Sequence, residues 1–199
     1  MTSPAQAAAI VLASDPHFAG IGPLARDLIG QASWYEVAQV ADGFVVTVRM
    51  GWGDCMAGCI SSHRWHYHVA TDGTLEFTAE DGDPIEGALP VPDVSGTGAF
   101  DIHVVAGPTC PVQTEPPQPG CEPRDVAGST IVIRDPDGAE VVRIESDETG
   151  HARAELPAGI YIVEAQPLEG YMAAPEPVAA WALGEEPGLV TLEYETGIL

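Results

Sequence analysis

STIVIRDPDGAEVVRIESDETGHARAELPAGIYIVE, residues Ser129–Glu164, is the stretch on which the fold reading turns. Its apolar residues come in short runs, Ser129–Arg134, Glu140–Ser146, His151–Leu156 and Ile160–Ala165. The turn signals between them are Asp135-Pro136-Asp137-Gly138, Asp147-Glu148-Thr149-Gly150 and Pro157-Ala158-Gly159. Aspartate side chains bond the backbone two residues on and glycine supplies positive φ, so each cluster reverses the chain. Runs this short between such turns predict strands. Phe100–Ala106, Val178–Leu183 and Leu189–Tyr194 continue the pattern on either side. Together these short strands predict a seven-stranded β-sandwich. The proline-rich loop Gly107–Gly128 interrupts them and is too long to be structureless by default.

Upstream the pattern differs. Ser3 can cap a helix, Pro4 suits its first position and Gln6 completes a capping box. That helix is expected to run through Ile10, Val11 and Leu12 and to stop at Asp15-Pro16, where the proline ring blocks continuation. Residues 17–32 read as an irregular connection with a helical turn near Leu24–Ile29. Trp34–Val40 and Phe44–Met50 form a hairpin about Asp42-Gly43, and His63–Thr71 and Thr74–Glu80 form another about Asp72-Gly73. Phe44, Val46, Val48 and Met50 share one face. The expected fold is therefore an α+β unit over residues 1–95, one helix on a four-stranded antiparallel sheet. The linker 81–98, rich in Gly, Pro and Asp, leads from it to an all-β seven-stranded sandwich over 96–199.

The Ser129–Glu164 rhythm of strand, Asp-Gly turn, strand, Asp-x-x-Gly turn, strand, Leu-Pro-x-Gly and Tyr-x-Val resembles carboxypeptidase regulatory-like domains, which share the transthyretin and Cna-B shape. The resemblance implies an extracellular spacer, adhesive part or assembly element without catalysis. The isopeptide crosslink of some Cna-B relatives is excluded, because the sequence contains neither lysine nor asparagine. The first half resembles, in element order, small exported bacterial domains of the cystatin-like or PepSY-like shape.

Composition bounds the partners. The 199 residues carry seven arginines against thirty acids, a formal charge of −23. Nucleic acid needs a basic stripe, and none exists; anionic lipid is disfavoured likewise. No apolar run approaches the length of a membrane span. Ala7–Ala13 is short and has no basic leader, so no export signal is visible in this chain. The cysteines fall in two close pairs, Cys55 with Cys59 and Cys110 with Cys121, and four cysteines permit three pairings. Local disulfides are favoured, since each pair falls in its own half, and point to an extracytoplasmic location, secreted or at the cell surface. A metal site or buried free thiols would be the rival reading.

Cys55, Cys59, His63, His66 and His68 form the densest cluster of ligating types. On a strand His66 and His68 share a face, where with thiolates they could hold zinc or copper; His63 would need a bend to join. Asp135, Asp137, Asp147 and Glu148 are candidates for weak calcium binding, although Ala139 breaks the EF-hand frame. Nothing matches a nucleophile elbow, an H-E-x-x-H helix or a dinucleotide loop. Trp34, Trp52, Trp65 and Trp181 suit core packing better than a sugar platform. The expectation is a non-catalytic, acidic exported protein without cofactor that binds a protein partner or self-assembles through edge strands. The alternatives are a metal-binding protein using the 55–68 cluster and a protease-inhibitor-like domain.

Overall fold

The computed structural model describes residues 2–25, 30–56, 58–85, 91–111 and 118–198. It is mostly β with one α-helix, α1 (Pro4–Ser14). The Ser3 side chain accepts from the Gln6 N–H at 3.1 Å, the N-cap half of the expected box, whereas the Gln6 side chain turns away from Ser3 and donates to the Pro136 carbonyl at 3.3 Å. The chain leaves the helix at Asp15, whose extended backbone precedes a 3-10 turn over Pro16–Phe18. The expected turn near Leu24–Ile29 lies largely outside the described residues.

Strands β1 (Trp34–Val40), β2 (Gly43–Trp52), β3 (Ser61–Ala70) and β4 (Leu75–Gly82) form an antiparallel meander in chain order. Gly43 opens β2 because nothing larger fits: a Cβ there would lie 2.1 Å from the Val69 carbonyl oxygen on β3. Strand β5 (Thr97–Gly107) begins the second part, followed by β6 (Arg124–Asp125), β7 (Thr130–Arg134), β8 (Glu140–Glu145), β9 (His151–Pro157), β10 (Gly159–Ala165), β11 (Val178–Ala182) and β12 (Gly188–Glu195). One sheet runs β11-β10-β7-β8, all antiparallel. In the other, β12 lies parallel to one side of β5, while β9 and then β6 lie antiparallel along the opposite side. Strands lie near each of the seven expected positions, and the two-residue β6 makes eight, so the second part is not the seven-stranded unit expected.

Phe100, Ile102 and Val104 of β5 meet Ile131, Ile133, Tyr161 and Val163 of the facing sheet in one core. Tyr194 is wholly buried at its edge and hydrogen-bonds the Ser129 hydroxyl at 2.8 Å and the Gln166 carbonyl. The second core departs from expectation. It gathers Ala8, Val11 and Leu12 of α1 and Val46, Val48 and Val69 of the first sheet, but also Ile160, Ile162 and Ala179 of β10 and β11. The helix therefore covers the first sheet on one side and the sandwich on the other. Its small side chains let both sheets approach, and an apolar surface all round is what such a position demands. Strand β10 is accordingly covered on both faces, Ile160 and Ile162 toward the helix and Tyr161 and Val163 into the sandwich. A buried hydrogen bond of 3.0 Å from the Tyr35 hydroxyl to the Ala179 carbonyl ties the first sheet to β11. The two expected units thus share a core.

Candidate functional site

Sulfur is committed to crosslinks. Cys55 pairs with Cys59 in the connection between β2 and β3, and Cys110 with Cys121 across the loop between β5 and β6. No free cysteine is left. The thiolates that a zinc site over 55–68 requires are therefore absent.

The strand periodicity of β3 separates the three histidines. His63 points inward, its ring 4.6 Å from Trp65 and its Nδ1 3.0 Å from the Asp83 carbonyl. His66 and His68 point to the outer face. There Thr47 Oγ1 lies 3.1 Å from His66 Nδ1, Asp81 lies 2.7 Å from its Nε2, and Asp42 lies 3.2 Å from His68 Nε2. Both nitrogens of His66 are thus engaged within the protein. Among the described residues no group of three or more His, Cys, Asp or Glu side chains converges on one point. The cluster is one in sequence and divided in space, because adjacent odd and even strand positions face opposite ways.

The outer face of the first sheet also holds Arg49 directly opposite Arg64. Arg64 pairs with Asp81 at 3.1 Å, whereas Arg49 donates to the Ala32 carbonyl at 2.7 Å and lies over the Trp34 ring. Partial burial and the neighbouring Arg64 charge lower the Arg49 pKa. His66 and Arg64 hold the Asp81 carboxyl below the ordinary carboxylate range.

The calcium candidates are also divided. Asp135 and Asp137 lie in the turn before β8, Asp147 and Glu148 in the turn after it. A six-residue strand separates the pairs by about 20 Å at the usual rise per residue. Asp135 accepts from the Ala139 N–H at 2.8 Å, and Asp147 accepts from the N–H groups of Thr149 and His151 and from the Thr149 hydroxyl. These aspartates act as turn formers, and the four carboxylates share no site.

A groove that the sequence did not announce lies where the shared core meets the surface. It has a volume of about 600 Å³ and is bounded by Gly20–Pro23, by Val178, Ala180 and Trp181 of β11, and by the start of β12. Its walls are mainly apolar. The Trp181 indole nitrogen is buried there without a hydrogen-bond partner among the described residues. Leu189 stands at the mouth with 84% of its surface exposed. Strand β12 ends its sheet: one side pairs with β5, and the other is bonded, among the described residues, at its end, where the Met172 N–H donates to the Glu195 carbonyl at 2.8 Å and the Glu195 N–H to the Ala173 carbonyl at 3.2 Å. Most of that edge is thus unpaired among the described residues. Trp181 was visible in the sequence as a large ring among alanines, but the groove joins residues some 160 positions apart and had no local signal.

No family model and no curated protein matches the chain. Among solved structures, the Bacillus anthracis TIE protein is similar over 84% of this chain at 13% identity with a TM-score of 0.39. This chain spans 27% of the length of that protein. A similarity at that score supports no statement about function.

Proposed function

We propose that the chain is a non-catalytic binding module that takes an extended segment of a basic protein partner along the open edge of β12. It works in an oxidising compartment outside the cytoplasm, as a structural or adhesive part. The observation that carries this reading is the groove beside an unpaired strand edge. Such an edge offers a row of main-chain donors and acceptors to an incoming strand, and an adjacent apolar groove takes its alternate side chains.

Charge selects between occupants. Two copies of a chain carrying −23 repel one another, whereas a basic partner is drawn in, so a different protein is favoured over self-assembly. Glu186 at the groove gives that preference a local expression. Two disulfides support the oxidising address. The turn-for-turn order of β7 to β10 supports a carboxypeptidase regulatory-like identity for 96–199. The helix followed by a four-stranded meander supports the cystatin-like or PepSY-like shape for 1–95.

Selection from a library of extended peptides tests the proposal. Enrichment of segments with alternating apolar residues and flanking Arg or Lys is expected. Leu189→Asp, at an exposed position the fold does not use, is expected to weaken the enriched peptides tenfold or more, since burying a leucine is worth about 1.5–3 kcal/mol. Binders that ignore Leu189→Asp, or no enrichment at all, would contradict the assignment.

A further inference from the structure

A second histidine arrangement lies on the outer face of the sandwich, away from the groove's core and from the 55–68 cluster. His103 of β5 and His151 of β9 are direct cross-strand partners. The neighbouring Val104 N–H donates to the Gly150 carbonyl at 2.8 Å, which makes 103–151 a non-hydrogen-bonded pair, the position where side chains approach closest. The two imidazoles are stacked, with centroids 4.3 Å apart and planes within 1° of parallel. Asp125 of β6 lies 2.9 Å from His103 Nε2. A carboxylate there fixes the tautomer that carries its proton on Nε2 and leaves the Nδ1 lone pair free, the way ligating histidines are held.

We propose that His103 and His151 form a two-imidazole site for a divalent first-row transition metal, with Asp125 as the positioning residue of His103 and water completing the coordination. The imidazole donor set suits copper(II), nickel(II) and zinc(II), with copper(II) bound most tightly. The setting favours a cation. Asp101 and Asp147 line the adjoining cleft of about 340 Å³, which opens beside His151. Arg153 in the same cleft pairs with Asp101 at 2.9 Å, so the net negative charge there is that of Asp147. The rings splay from the parallel stack when both lone pairs turn to one ion. Both sit on an exposed sheet face where that rotation meets little resistance: the His103 side chain is 37% exposed.

Titration of the full chain with a copper(II) salt at neutral pH tests the site by calorimetry. One equivalent is expected, with His103→Ala and His151→Ala each weakening it tenfold or more, and Asp125→Asn weakening it about tenfold. His66→Ala and His68→Ala are expected to leave it unchanged. In the unmodified chain, the first increments of copper(II) are expected to broaden the ring signals of two of the six histidines. This readout needs no variant to fold. Affinity that survives both His103→Ala and His151→Ala, broadening spread evenly over all six, or no binding would overturn the proposal. An unchanged Asp125→Asn affinity would overturn the positioning role.

Discussion

Tyr194 shows how a single hydroxyl closes the sandwich. It is wholly buried, and burial raises its pKa, while the Ser129 hydroxyl and Gln166 carbonyl give it partners. Ser146 extends the network by accepting from the Ser129 N–H at 2.9 Å and donating to the Val126 carbonyl at 2.7 Å. Tyr194→Phe leaves those groups short of a partner and is expected to cost about 1–3 kcal/mol in chemical denaturation. Asp147 marks the acid-labile side. Hydrogen bonds from the Thr149 hydroxyl and from the His151 and Thr149 N–H groups hold its carboxyl below its ordinary 3.8. A carboxyl depressed in the folded state contributes stability that is full above the ordinary value and is lost as pH falls through the folded one. Thermal melts are therefore expected to show Tm falling once pH drops below about 4. Asp147→Asn should show a shallower fall over the same window. At this scale the sequence was most legible: the aspartate turns need only neighbours within four residues. The inward placement of His63 and the outward placement of His66 and His68 followed once β3 was a strand.

Among the elements, α1 holds the most together. Leu12 is fully buried in the core that the helix, the first sheet and β10–β11 share. Leu12→Ala is expected to cost about 2–5 kcal/mol, measured by denaturant unfolding, and to loosen both sheets at once. Ser3, Pro4 and Asp15-Pro16 made the helix bounds legible. Its second packing surface was written in Ala7, Ala8 and Ala9 but is easily read as one-sided, because small residues do not say how many partners they admit. Strand existence was legible from turn spacing everywhere but at the two-residue β6, which lies inside the proline-rich loop. The parallel pairing of β5 with β12 was not, since parallel and antiparallel strands alternate with the same period of two and these partners are distant in sequence. The pairing of His103 with His151 was hidden for the same reason: it is a matter of register between β5 and β9.

The molecule as a whole is an acidic body whose sheets are fastened by one buried helix and whose described chain leaves the edge of β12 open beside an apolar groove. The charge of −23 turns nucleic acid away, and it is the proposed docking mode that makes a basic protein the favoured occupant. The docking place itself emerged only when Gly20–Pro23, β11 and β12 came together in space. Amide hydrogen exchange on the intact chain, with and without a bound basic peptide, measures the central claim most directly. The account predicts that the peptide slows exchange at Gly188–Glu193 and on the adjoining Gly20–Pro23 segment, while Arg64–His68 on the outer face of the first sheet exchange as before. Protection confined to Arg64–His68, with β12 unaffected, would contradict it.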